Sequence, residues 1–321
     1  MNTPRIALAV LATLAALPAA AQQGYPNRAI RLVVPSSPGG GTDITGRIVA
    51  NKLSEQLGQQ VVVDNRAGAG TIIGIEIAAK APPDGYTLLM GLSTLAINPS
   101  MYAKLPYDAI RDLAPVSLVV LSPNVLTVHP SLPARSVKEF IALAKAKPGT
   151  ITYGSAGQAT SPHLSGELLK VLAKIDIVHV PFKGSGQSVI SSLAGEIAAN
   201  FPSVPTAIPY IKVGKLRGLG VTMAKRTAAL PDVPSIAEAG VAGYEATQWF
   251  GVLAPAGTPR PIIDRLNQEI VKLLRLPEIR DRLIADGTDP VGNTPEEFAA
   301  YIRSETDKWT RVIKAAGIKA Q

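Results

Sequence analysis

Val34-Pro35-Ser36-Ser37-Pro38-Gly39-Gly40-Gly41-Thr42-Asp43 leaves an apolar run, 30–34, and enters an amphipathic stretch, 43–57. In that stretch Ile44, Ile48, Val49, Leu53 and Leu57 fall on one helical stripe. Strand, glycine-rich turn and helix in this order make the βα unit of an α/β protein with a largely parallel sheet. Consecutive glycines let a backbone approach a ligand closely, and a helix start presents free N–H groups and a positive dipole end. The segment therefore predicts an anion cradle, with Ser36, Ser37, Gly39, Gly40, Gly41, Thr42 and Asp43 as candidate contacts. A tight turn without a ligand is the alternative, and Thr42 or Asp43 serves equally as a helix cap. It is not a nucleotide loop. G-x-G-x-x-G needs glycine where Ile44 stands, and Gly41-x4-Gly46 is followed by Arg47-Ile48 in place of Lys-Ser/Thr.

Outward from this segment the pattern repeats. A strand is expected at 61–64, a helix from about 71 to 80, a strand at 87–90, and strands 116–121 and 125–128 around a Ser122-Pro123-Asn124 break. After His129-Pro130 a second block begins. The Ser136–Glu139 capping box opens a helix that stops at Lys147-Pro148-Gly149. There follow strand 151–155, helix 161–173, strand 177–180, helix 187–194, strand 197–201, a short helix near 205–213 and strand 216–222. The remainder reads as a long strand or crossover at 244–253 and a helix at 261–276. A last helix is opened by Thr294-Pro295-Glu296-Glu297 and stopped at Gly317, its stripe of Phe298, Ile302, Trp309, Val312 and Ile313 interrupted by Glu305. The last hundred residues hold too few strands for a third sheet and complete the first. The expected lobes are 22–128 with 225–321, and an inserted 129–224. Two crossings make a hinge, and the cleft between lobes is the natural ligand site.

The inserted lobe repeats the cradle in Tyr153-Gly154-Ser155-Ala156-Gly157-Gln158-Ala159-Thr160-Ser161-Pro162-His163. Ser161 is the expected N-cap, with Pro162 at the first helical position. Ser155, Gln158, Thr160 and Ser161 are candidate carboxylate contacts. His163 either meets the ligand or is a structural surface histidine, and Lys183 is the nearest candidate for an ion pair. Neither Ser155 nor Ser185 sits in G-x-S-x-G, because Tyr153 and Lys183 take the first glycine's place. With no paired carboxylates, metal cluster or base–nucleophile pair beside either loop, the arrangement reads as binding, not catalysis.

Composition narrows the class. The 321 residues suggest about two domains. Apolar residues at 46% and charged residues at 17% describe a chain that builds a core. Its net charge of +8 comes from scattered basic residues, which argues against a nucleic-acid partner. The absence of cysteine excludes disulfides, thiolate metal sites and cysteine nucleophiles, and the dispersed His129, His163 and His179 form no metal pair. No cofactor is expected. Residues 1–21 combine Arg5, an apolar run from Ile6 to Leu17 and Ala19-Ala20-Ala21, the pattern of a secretory signal peptide; the apolar run is too short for a membrane anchor. The mature chain is expected to begin near Gln22 and to lie in the periplasm.

The chain resembles the Bug receptors, the solute-binding proteins of tripartite tricarboxylate transporters. The markers are Tyr25-Pro26, Pro38–Asp43, Val63-Asp64-Asn65-Arg66-Ala67-Gly68-Ala69-Gly70, Pro83-Asp84-Gly85-Tyr86-Thr87, Ile97-Asn98-Pro99, Val180–Gly184, Gly214–Arg217 and Ala254–Pro259. The resemblance implies a two-lobed, type II periplasmic binding protein, expected to be monomeric, that closes on a di- or tricarboxylate, an acidic amino acid or an aromatic carboxylate. It implies delivery to a membrane permease, or signalling through a sensor kinase; a secreted enzyme on the same scaffold is the remaining alternative. It also places a Ser93-Thr94 loop in the cleft. Two departures stand out. Gly195-Glu196-Ile197-Ala198-Ala199-Asn200-Phe201-Pro202 lacks the two aspartates usual in the family, which alters the cleft floor near Ser203. Thr71 stands where glycine is common.

Overall fold

The structure, a computed structural model, describes residues 24–315 and residue 318. The signal segment 1–21 and the Gly317 stop lie outside the described residues. Two sheets form the frame. The six-stranded sheet runs β11-β4-β10-β3-β1-β2, with β1 Ile30–Val34, β2 Val61–Asn65, β3 Thr87–Leu92, β4 Leu113–Pro123, β10 Thr247–Pro255 and β11 Asp289–Pro290. The five-stranded sheet runs β7-β6-β8-β5-β9, with β5 Val125–Val128, β6 Thr152–Ser155, β7 Val178–Pro181, β8 Ala199–Asn200 and β9 Arg217–Val221.

Both sheets are mixed. β1 pairs parallel with β2 and β3, and β6 with β7 and β8. The strand by which each sheet receives the chain from the other lobe runs the other way, so β10 is antiparallel to β3 and β4, and β5 to β8 and β9. A strand that returns from the opposite lobe enters the sheet at its cleft end, which reverses its direction.

The crossings fall at different residues from those expected at 128 and 225. β4 runs through Pro123 and β5 starts at Val125, in the other sheet, so Asn124 alone is the first crossing. On the return, Ser235 bridges Val221 and Ile236 N–H donates to Val221 O, which holds the segment after β9 against the second sheet until Ala246. The two crossings are tied to each other. Thr222 N–H donates to Asn124 O, Asn124 N–H donates to Thr222 Oγ1, and Ala246 N–H donates to Thr222 O, each at 2.9 Å.

Helices flank both sheets: α1 Gly41–Leu57, α2 Ile72–Ala79, α3 Thr94–Met101, α4 Val137–Ala146, α5 Ser161–Ala173, α6 Ser185–Leu193, α7 Val204–Lys212, α8 Arg260–Leu274, α9 Pro277–Ala285 and α10 Pro295–Ala315. The strand faces bury Leu32, Val34, Leu88 and Met90 against the α1 stripe of Ile48, Val49 and Leu53 and against Leu266, Ile270 and Leu273 of α8. Both sequence-read capping residues act. Glu139 N–H donates to Ser136 Oγ at 3.1 Å; Glu297 N–H donates to Thr294 Oγ1 at 3.2 Å, and the Glu297 carboxylate accepts from Thr294 N–H at 2.9 Å. Glu305 in the α10 stripe is buried, yet its carboxylate accepts from Trp309 Nε1 at 3.1 Å and pairs with Lys308.

Candidate functional site

The cleft ends of β1 and β6 each hand the chain to a helix whose start no side chain caps. Gly40 is the N-cap of α1 and Thr160 that of α5, both extended, and neither makes a side-chain cap bond. Gly41, Thr42 and Asp43 in α1, and Ser161 and His163 in α5, therefore keep first-turn N–H groups that the helix itself leaves unpaired. Pro162 has no N–H. Ser161 is the first helical residue, not the cap, because Thr160 keeps the extended backbone of a cap. Ser93-Thr94 is likewise no loop: Ser93 precedes α3, its Oγ accepts from Trp249 N–H at 3.0 Å, and Thr94 opens the helix.

These helix starts converge across the lobe boundary. A Cβ on Gly41 would lie 2.2 Å from Ser203 Oγ and 3.3 Å from Phe250 Cζ, so only glycine admits this approach of α1 to the start of α7. Gly40, which looked equally critical in sequence, has only ordinary contacts, with Ser37 O at 3.5 Å the nearest. Ser203 bridges Asn124, and Asn124 Nδ2 donates to Ser161 Oγ at 2.9 Å, so α1, α7, the crossing and α5 meet at one point. Nearby, hypothetical Cβ atoms on Gly184 and Gly186 would fall 2.2 Å from Ser37 Oγ and 2.6 Å from Pro38 O, and one on Gly70 would fall 2.6 Å from Gln158 O. The lobes are closed on each other at all these places.

Not every candidate faces this seam in the same way. Asp43 is a clasp. Its carboxylate accepts from Gly39 N–H at 2.9 Å, Arg47 Nε at 3.0 Å and Asn65 Nδ2 at 3.0 Å. Burial opposes its ionisation, but those hydrogen bonds and the Arg47 charge prevail and hold its carboxyl below the usual carboxylate range. Ser155 is engaged too: its Oγ accepts from Gly157 N–H at 3.0 Å and lies 2.6 Å from His179 Nε2. His179 stacks on His163 at 4.1 Å, and His163 Nδ1 accepts from Ala159 N–H at 3.3 Å, which places its proton on Nε2. His163 is buried in the lobe, not a surface group. Burial drives its pKa down to about 4; burial and the neighbouring His163 take His179 to about 3, so both rings are neutral. Thr160 Oγ1 donates to Gly157 O at 2.6 Å. Lys183 is exposed, beside a 680 Å³ cavity at the seam lined also by Gly70, Tyr102, Gln158 and Phe182. A 590 Å³ cavity around Tyr107 and Ile110 contains none of the cradle residues.

Apart from Lys183 at its mouth, what remains available in the seam is polar and uncharged. Ser36 Oγ, Ser37 Oγ and Gln158 Oε1 are buried without a partner, as are Ser122 Oγ, Asn124 Oδ1 and Gln248 Oε1 on the crossing strands. The last three escaped the sequence reading, which treated Ser122-Pro123-Asn124 only as a break; polar residues inside a strand-rich crossing were the available signal. Aligned N–H groups without a cation suit a small anion with its own hydrogen-bonding groups.

The profile of the tripartite tricarboxylate transporter receptor family (TctC) matches residues 45–318. The chain belongs to the Bug (TctC) receptor family. Bug proteins among its relatives include BugT of Bordetella pertussis, 38% identical over 92% of this chain and 91% of that one. Among solved structures, R. palustris Rpa4515 with adipate has a TM-score of 0.90 at 36% identity, covering 92% of this chain and all (100%) of the other. MatC from Rhodopseudomonas palustris with bound malate has a TM-score of 0.84 at 29% identity, covering 90% and 100%. The Bug fold is thus the two-lobed one described, and Bug receptors are periplasmic solute-binding proteins. Among the described residues no helix is long and apolar enough to cross a membrane.

Proposed function

We propose that the chain is a periplasmic receptor, exported by residues 1–21, that encloses a small organic carboxylate between its lobes and delivers it to a tripartite tricarboxylate transporter permease. The observation that carries the reading is that the uncapped start of α1 packs on Ser203 and the uncapped start of α5 bonds Asn124, two residues that bridge each other at a closed seam. Aligned peptide dipoles and N–H groups replace the water of a carboxylate without an ion pair, and charge-assisted hydrogen bonds contribute about 1.5–3 kcal/mol each. The adipate and malate in the neighbouring structures are anions of this kind. The Ser155–His179 contact resembles half of a nucleophile–base pair, but the Ser155 oxygen already clasps its own loop, so a binding role accounts for it.

Calorimetry with a panel of carboxylates tests the reading. Gly41→Val should weaken binding by about ten- to hundredfold, since overpacking costs about 1–3 kcal/mol, while the melting temperature of the unliganded protein stays near that of the parent. Lys183→Ala should bind as the parent does. Loss of binding in Lys183→Ala with normal binding in Gly41→Val would replace the dipole cradle by a point-charge site.

A further inference from the structure

We propose that the stacked His163 and His179 are positioning residues for the ligand: from behind the inserted-lobe cradle they pin both ends of the loop 155–159, and a proton on His163 frees that loop and lowers the affinity for a carboxylate. This deepens the carboxylate reading above and rests on it. The loop faces the ligand side, because Gly157 and Gln158 line the 680 Å³ cavity at the seam together with Gly70 and Tyr102 of the other lobe. Its backbone does not hold itself. Gly157 has a φ of +123° and Ala159 one of +61°, a left-handed conformation that is unfavourable for a residue other than glycine. The two rings supply the hold. His163 stands in the first turn of α5 and reaches back, so that its Nδ1 accepts from Ala159 N–H at 3.3 Å. His179, on β7 opposite Tyr153 of β6, brings Nε2 to 2.6 Å from Ser155 Oγ, which in turn accepts from Gly157 N–H at 3.0 Å. The ring centroids are 4.1 Å apart, so the two anchors form one unit.

Protonation acts on both anchors. Neutral His163 leaves Nδ1 free to accept; its imidazolium carries N–H on both nitrogens and turns a donor toward Ala159 N–H. The Ser155 hydroxyl has two acceptors in reach, His179 Nε2 at 2.6 Å and Gly157 O at 3.1 Å. A proton on Nε2 forces it to Gly157 O, which already accepts from Thr160 Oγ1 at 2.6 Å. The charged groups around the pair offset each other. Glu167 of α5 lies 3.9 Å from His163 Nε2 and favours a charge on His179. Its carboxylate also accepts from Tyr153 OH at 2.7 Å and from Lys170 Nζ at 3.0 Å, and Lys170 opposes a charge on either ring. Tyr153 and Tyr244 are uncharged, because burial raises both phenols. In the bonded loop, burial holds His163 down at about 4; in a loop that has let go, the ring returns toward its ordinary 6.5. Affinity is therefore full above about pH 6.5 and falls as pH drops from there toward about pH 4.

The test is calorimetry on the full mature chain with malate, adipate, glutamate and benzoate as probes, at about pH 7.5 and about pH 5.5, each protein shown to be folded by its melting curve. His163→Asn and His179→Gln keep an acceptor near the position of the ring nitrogen that is used and do not titrate; His163→Leu and His179→Leu keep the bulk and lose the acceptor. At the higher pH the amide variants should bind the tightest probe within about threefold of the parent, and the leucine variants about fivefold or more weaker, the worth of one hydrogen bond. Between the two pH values the parent should lose about tenfold more affinity than His163→Asn, the share of one ring with an ordinary pKa. Ionisation of the probe is common to both proteins and cancels in that ratio. Equal losses in the amide and leucine variants would make the pair mere packing, and overturn the proposal. An acid loss as large in His163→Asn as in the parent overturns it too; in both cases the carboxylate reading stands. If the parent binds none of the four probes, the carboxylate reading falls and the proposal with it.

Discussion

At the scale of single residues, Thr71 shows how the cleft stores strain. Its φ is +80°, a left-handed conformation in which a β-branched side chain is an outlier, and Ala69 and Gly70 before it are also left-handed. The resemblance offered the clue, since it leads glycine to be expected where Thr71 stands. The compensation is visible: Thr71 Oγ1 lies 2.6 Å from Thr94 Oγ1 at the start of α3, both buried. Left-handed backbone costs about 1–2 kcal/mol and a hydrogen bond returns about 1 kcal/mol. Thr71→Gly should thus leave the melting temperature within about 2 °C of the parent, whereas Thr71→Val, with the strain but not the hydroxyl, should lose about 1–2 kcal/mol in urea unfolding. Equal loss in both variants would contradict this balance. The stacked pair His163 and His179 gives a second residue-scale expectation. Both are held neutral, with pKa values of about 4 and about 3, below the ordinary 6.5. As pH falls through about 6.5 the unfolded chain takes up protons that the folded chain refuses, so stability present at neutral pH is lost progressively down to about pH 3. Lys170 and Glu167 face the pair with opposite effects on His179. Thermal melts should drop between pH 7 and pH 5, and His179→Asn should flatten that drop; a parental slope in the variant would assign the acid sensitivity elsewhere.

At the scale of elements, what sequence can disclose depends on whether the signal is local. α1 was expected from residue 43 and begins at Gly41, α5 was expected and observed over 161–173, and both capping hydroxyls accept from the N–H three residues on, although Glu139 closes its box on Arg135 N–H instead of Ser136 N–H. Each is specified by apolar spacing and by groups within four residues. α3 was missed because Leu95-Ala96-Ile97 is apolar without a period and Pro99 lies inside the helix. β5 was recognised as a strand but placed in the wrong lobe, because a short buried run carries no record of its partner. The two uncapped helix starts were legible for the same local reason, a glycine-bearing turn followed by a helix. The functional state of their side chains was not. Asp43 and Ser155 are candidate ligand contacts in sequence, and the partners of their side chains, the distant Asn65 and His179, appear only in the fold. Conversely Asn124, one residue of an unremarkable break, becomes the crossing only when both sheets are assembled around it.

At the scale of the whole molecule, closure is written into positions where one lobe leaves no room for a side chain of the other. Gly186 lies in the first turn of α6, with its N–H end toward the α1 loop; a Cβ there would be 2.6 Å from Pro38 O and 3.5 Å from Gly40 N, all backbone atoms of the opposite lobe. No contact within its own lobe is that close, so a side chain at 186 is compatible with each lobe and incompatible with their meeting. The hinge, by contrast, is short and bonded: Asn124 and Thr222 hold the two crossings together, which lets the lobes swing about that pair without loss of either sheet. Small-angle scattering should therefore show the parent chain larger when free of ligand than at saturation with its tightest carboxylate. Gly186→Val should keep the melting temperature of the free protein, retain the larger radius at any ligand concentration, and bind more weakly, because the enclosed state supplies half of the donors. A parent chain whose radius does not change on binding would place recognition on a permanently closed molecule, and a Gly186→Val variant that compacts as the parent does would mean that the contact with Pro38 is not the one that ends closure.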